Sequence, residues 1–204
     1  MPGSRFTPAD QRRIALAERR RIRRTVSDLT AEQWSTPSLC EGWTVRDVVG
    51  HVASNSDIGM GGFLVSMAGA RFDHDEHNRR SARSWAQRPT AELLAPLDGD
   101  RIMLAFRVVP ALLLVDNVVH HQDIRRPLGL GTDFPEEHLA AALDAVFSAR
   151  AFAGDAARAE GRRLVATDIE WSHGTGPEEV RDTAEHLILS VMGRPVGPNE
   201  LSAS

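Results

Sequence analysis

The 204-residue chain contains no tyrosine and one cysteine, and only 5% of its residues are aromatic. A single thiol, Cys40, excludes an internal disulfide and suits a reducing compartment. The formal charge of −4 leaves no positive footprint of the kind general nucleic-acid binding needs. No apolar run approaches the roughly 20 residues a membrane-spanning helix requires. The N-terminus carries Arg5, Asp10 and Arg12 with no apolar core, so it does not read as a signal peptide. A soluble, cytoplasmic protein is expected. With 42% apolar residues it can build a sizeable core, in one domain or one plus a small appendage.

Helical periodicity dominates the first three-quarters. Thr7 followed by Pro8 predicts a helix start, and Ala15, Ile22, Val26 and Leu29 share one stripe as far as Leu29. Glu18 falls on that stripe. The run Arg19–Arg24 suggests phosphate or DNA contact on its face value, but the solvated face of an amphipathic helix explains it as well. Ala31 to Gly42 reads as a loop. Thr44 and Asp47 have capping-box spacing and open a second helix, with Val45, Val48, Val49 and Val52 inward and His51 beside the stripe. Gly59, Gly61 and Gly62 would loosen its far end. A polar segment from Arg71 to Gln87 predicts a loop and a short helix. Asp73, His74, Asp75, Glu76 and His77 are metal-like in composition but read as a solvated loop. Further helices are expected from Thr90 to Leu97, Ile102 to Val109, Pro110 to Pro127 and Pro135 to Phe152.

The last fifty residues change character. Leu164–Trp171 reads as a strand, Ser172–Pro177 as a turn, and Glu178–Arg181 as a return strand. Asp182 and Glu185 open a final helix that Gly193 ends. The expected fold is mainly α, a bundle over residues 1–154 with a small β-hairpin-plus-helix appendage over 155–204.

Asp116 and His120 carry the chemistry. Four residues apart in a helix, they sit about 40° apart, one turn above the other. Leu112, Leu113, Leu114, Val115, Val118 and Val119 surround Asp116, and a helix apolar all round is buried. An isolated carboxylate there is costly, and a divalent metal taking imidazole and carboxylate together removes the cost. A simple Asp–His hydrogen bond would do so too. His51, on its own helix, is the third ligand candidate. Asp123 would accept the second ring proton of His120. His121 points about 100° away and would face a substrate. Cys40 has no basic neighbour in sequence and reads as a buried loop cysteine, although a nucleophile is the alternative. Arg181 and Arg194 are candidates to bind carboxylates of a substrate or thiol cofactor, or are plain surface arginines.

The segment Leu39-Cys40-Glu41-Gly42-Trp43-Thr44-Val45-Arg46-Asp47-Val48-Val49-Gly50-His51 resembles the start of the second bundle helix in actinobacterial DinB-like proteins, which include the mycothiol-dependent maleylpyruvate isomerase family. Val119 to Gly129 resembles that family's second metal motif. Ala166–Trp171, Gly174–Pro177 and Met192-Gly193-Arg194 resemble its compact C-terminal element. The resemblance implies a DinB-like four-helix bundle with a divalent metal, usually zinc and alternatively nickel, held by His51, Asp116 and His120. Many relatives have glutamate where this chain has Asp116, whose side chain is one methylene shorter. It also implies an enzyme using mycothiol or another small thiol for S-transfer or cis–trans isomerisation of a small electrophile, with His121 and Asp123 at the catalytic site and Arg181 and Arg194 at the thiol. Expected partners are the thiol and a small substrate, with no nucleic acid or membrane, in a monomer or homodimer. A non-catalytic metal- or ligand-binding bundle is the alternative, and a helical transcription regulator a third reading.

Overall fold

A computed structural model describes residues 4–56, 74–131 and 133–196. The predicted glycine-loosened end at Gly59, Gly61 and Gly62 lies outside them, as does Asp73.

Local capping chemistry sets most helix starts. Helix α1 (Pro8–Val26) begins with Thr7 as N-cap and Pro8 in the first turn, in a reciprocal box with Asp10. The region read as a loop holds a short helix, α2 (Ala31–Ser35). Thr30 and Gln33 form a second such box there. Helix α3 (Val45–Ser54) opens at the Thr44–Asp47 box as expected. Then follow α4 (His74–Ala86), α5 (Thr90–Asp98), α6 (Leu104–Val108), α7 (Pro110–Arg125) and α8 (Glu136–Ser148). His77, read as part of a solvated loop, sits on α4 and is buried.

The chain then turns through short helical pieces, among them α9 (Ala153–Ala156), into β1 (Arg162–Ala166), β2 (Ser172–His173), β3 (Glu178–Asp182) and α10 (Ala184–Val191). The expected return strand is corrected in direction. β2 pairs antiparallel with β1, with His173 opposite Leu164, whereas β3 runs parallel to β1 on its other edge, with Val180 opposite Leu164. The link from β2 to β3 must therefore pass the start of β1. A Cβ on Gly174 would lie 2.2 Å from the Arg162 carbonyl oxygen, and one on Gly176 1.8 Å from that of Gly161. Only glycines allow that crossing. The N-cap of α10 is Thr183 rather than Asp182.

Two apolar clusters share α1 and α7. One joins Ile14, Leu113, Leu114 and Val118 to Leu143 on α8, Leu164 on β1 and Leu187 and Ile188 on α10. The other joins Ile22 and Val26 to Val45, Val48 and Val52 on α3, Leu93 and Leu97 on α5, and Ile124 at the end of α7. α7 is thus the central element, packed against α1, α3 and α8. The arginine run is only in part a solvated face. Arg19 is fully buried, and its guanidinium bonds to Ser56 Oγ (2.6 Å) and to the carbonyls of Arg101 (3.0 Å) and Gly99.

Candidate metal centre

Where α3 faces α7, two pairs of residues spaced four apart meet. His51 and Asn55 come from α3 and its C-cap, Asp116 and His120 from α7. Asp116 Oδ1 lies 3.0 Å from His51 Nε2 and 3.5 Å from His120 Nε2. The imidazoles meet edge to face, with centroids 4.8 Å apart. Asn55 Nδ2 donates to the other carboxylate oxygen at 2.9 Å, which turns Oδ1 toward the two rings. Trp43 walls the site, stacked parallel to His120 at 6.5 Å and tilted against His51 at 5.6 Å.

The donor set fits a divalent ion. Around tetrahedral zinc with bonds of about 2.0–2.1 Å, neighbouring donor atoms sit about 3.3 Å apart, and the separations of 3.0 and 3.5 Å bracket that value. The side chains of Asp116 and His120 keep 20% and 13% of their surface exposed, toward a cleft of about 1100 Å³ that His51, Trp43, Cys40 and Arg194 also line. An ion held by these three side chains would therefore be reachable from the cleft. His51 Nδ1 is buried and has no hydrogen-bond partner among the described residues.

Electrostatics tie the cluster together. Burial opposes charge on Asp116, but the two imidazoles outweigh it and hold the carboxyl far below the usual range. Burial likewise opposes a proton on His120, yet Asp116 and Asp123 raise its pKa well above the ordinary 6.5. Asp123 is fully buried and accepts from His120 Nδ1 at 2.8 Å. That leaves Nε2 of His120 for the cluster, the arrangement anticipated from spacing. Burial pushes the Asp123 carboxyl up, but His120 and Arg194 hold it at about 2.

The other anticipated residues separate. Arg194 enters the site, with Nε and Nη2 each 3.0 Å from Asp123. Arg181 does not. It lies exposed on β3 and pairs with Glu179 at 2.9 Å. His121 is fully buried on the side of α7 toward α1, bonded through Nδ1 to Glu18 and through Nε2 to Thr25 Oγ1 at 2.8 Å. It faces no substrate cleft. Asn55, Trp43 and Cys40 were not assigned to the site from sequence. The i, i+4 spacing of His51 and Asn55 was a usable signal for Asn55. None existed for Cys40, whose thiol donates to Asp123 at 3.0 Å across 83 residues.

Fold and site together define a helical bundle with a His–Asp–His cluster at the mouth of a cleft, and the comparisons with known proteins agree on the bundle. Residues 15–108 match the model of the mycothiol maleylpyruvate isomerase N-terminal domain. Two solved structures are similar to the chain. They are mycothiol-dependent maleylpyruvate isomerase and a histidine-to-alanine mutant of it. Each is 14% identical and covers 93% of this chain and 90% of its own, with TM-scores of 0.50 and 0.52 respectively. No curated protein matches. The family that the sequence resembles is the family the comparison finds, and the DinB-like bundle with its C-terminal element is the fold they share. Among the described residues no helix is long and apolar enough to cross a membrane.

Proposed function

We propose that the chain is a metal-dependent enzyme that uses a small thiol, mycothiol or a close analogue, to act on a small electrophile by S-transfer or cis–trans isomerisation. The observation that carries the reading is the convergence of one donor atom each from His51, Asp116 and His120 within 4.8 Å of one another on the wall of an open cleft. The domain match to a mycothiol-dependent isomerase family supports the thiol.

His51, Asp116 and His120 would hold the ion, with zinc the best fit to two imidazoles and one carboxylate and nickel an alternative. Bound there, the metal favours the thiolate form of an incoming thiol. The chain's own groups supply the rest. Asn55 fixes the rotamer of Asp116, Asp123 fixes the tautomer of His120 by accepting a hydrogen bond from its Nδ1–H, and the Trp43 ring shields both imidazoles on one side. The cleft leaves room for thiol and substrate together. In isomerisation the sulfur adds to one carbon of a cis double bond, the resulting single bond rotates, and expulsion of the sulfur returns the trans product and the thiol. In S-transfer the new carbon–sulfur bond persists, and either the neighbouring carbon takes up the proton released by the thiol or a leaving group departs with the pair of the bond it gives up.

The test begins with zinc and nickel content of protein purified without a histidine tag. Stoichiometric metal in the wild type and its loss in His120→Ala are expected, and a metal-free wild type that takes up neither ion overturns the reading. Metal-loaded protein is then incubated with mycothiol and a panel of electrophiles. Turnover above the metal-free control is expected, and its absence favours a non-catalytic binding bundle.

A further inference from the structure

We propose that Arg194 is a positioning residue for His120, acting through Asp123, so that the C-terminal element completes the metal centre rather than binding the thiol's carboxylates. The inference rests on the metal reading above, but the arrangement behind it stands on its own contacts.

The backbone places the arginine. Helix α10 ends at Val191, and Gly193 follows in the left-handed region at φ +71°. The Gly193 amide donates to the Ser190 carbonyl (3.0 Å), and the Arg194 amide donates to that of Leu189 (2.8 Å). This reciprocal pair is the Schellman helix ending, which fixes the residue after the glycine as firmly as the helix itself. The side chain that leaves this anchored position crosses to the end of α7. Nε and Nη2 grip both oxygens of Asp123, Nη1 donates to the Met192 carbonyl at 3.2 Å, and Nη2 also lies 3.4 Å from Cys40 Sγ. Although Arg194 lines the cleft, its guanidinium faces inward and is engaged on every nitrogen.

Asp123 explains why a two-pronged cation is placed there. The carboxylate is fully buried and takes donors from His120, Cys40 and Arg194, and of these only Arg194 carries a permanent charge. Without it, Asp123 loses the two parallel bonds that fix the plane of its carboxylate. It is then free to turn away, and His120 Nδ1 loses its fixed acceptor. The ring is then free to rotate or to change tautomer, and Nε2 is no longer held toward His51 and Asp116. The chain has no lysine, so arginine and histidine are its only basic side chains. An ammonium in this place would restore the charge but not the two parallel bonds.

The experiment compares wild type with Arg194→Gln, Arg194→Lys, Asp123→Asn and the Gln/Asn double variant as full-length chains, after circular dichroism confirms folding. Zinc affinity is measured by competition with a chromophoric chelator, and the His120 ring is read by nitrogen-15 NMR in the metal-free protein. Arg194→Gln and Asp123→Asn should each weaken zinc binding by about 10-fold or more. Arg194→Lys should recover part of the loss, and the double variant should lose little beyond either single change, because both act on one ring. The ring nitrogens of His120 should shift in Arg194→Gln. Wild-type zinc affinity and unchanged ring signals in Arg194→Gln overturn the proposal, as does a rise in thiol KM with zinc affinity intact. If the wild type binds no zinc, the metal reading fails, and the ring signals alone decide whether Arg194 positions His120.

Discussion

Glu18 offers the sharpest quantitative prediction. Its carboxylate is fully buried on α1, with one oxygen accepting from His121 Nδ1 on α7 and the other from His138 Nδ1 on α8. Thr25 Oγ1 occupies the far nitrogen of His121, which selects the tautomer that donates to the carboxylate. Burial alone would raise the Glu18 pKa, but the two imidazole hydrogen bonds and charges reverse this and hold it at about 2, against an ordinary 4.5. At about 1.36 kcal/mol per pH unit, that gap corresponds to about 3 kcal/mol of folding stability. The native pKa lies below the unfolded one, so the unfolded chain binds the proton first as pH falls. The contribution is complete above 4.5 and is lost as pH falls through about 2. Replacing Glu18 by Gln removes the charge and leaves an amide that can accept from only one of the two imidazoles. At pH 7 this should cost about 2–4 kcal/mol, the value of charge-assisted bonds left partly unmade. Urea unfolding followed by circular dichroism, at steps from pH 7 to 2.5, measures both effects. The stability gap between wild type and Glu18→Gln should narrow between pH 4.5 and 2. A gap that stays constant through that window would refute the coupling of Glu18 to its two histidines.

Two further outcomes follow from the centre and its supports. Zinc at roughly 100 times its Kd should stabilise the folded protein by about 2.7 kcal/mol, raising Tm by roughly 5–10 °C in a chain of this length; differential scanning fluorimetry should find that rise absent in His51→Ala and abolished by a chelator. Gly50→Ala should destabilise by about 1–3 kcal/mol through overpacking, because the new Cβ would fall 2.4 Å from the Ala82 carbonyl oxygen where α3 crosses α4. Since α3 carries His51, zinc affinity should fall with it, and a Gly50→Ala protein melting at the wild-type temperature would show that the helices part without cost.

Much of the architecture can be read in the sequence because it follows from contacts a few residues apart. The caps at Thr7 and Thr44 satisfy amide donors within one turn, and the Asp116–His120 alignment is a property of any helix. The hydrogen bond of His120 to Asp123 spans three residues and was legible for the same reason. Local chemistry also misled. The Thr30–Gln33 box lies in a segment whose composition reads as a loop, and turn residues at Gly174–Pro177 suggest a simple hairpin where the chain crosses to the opposite sheet edge.

The sequence by itself determined the helical character, most element starts and the paired donors on α7. Tertiary structure alone decided that His51 faces those donors, that His121 turns instead to Glu18, and that Arg194 rather than Arg181 reaches the centre. The physical reason is range. Backbone groups must find partners within a turn or two, which fixes elements locally, whereas a buried charge takes its counter-ion from whichever helix the packing brings alongside, 65 residues away for His51 and 71 for Arg194.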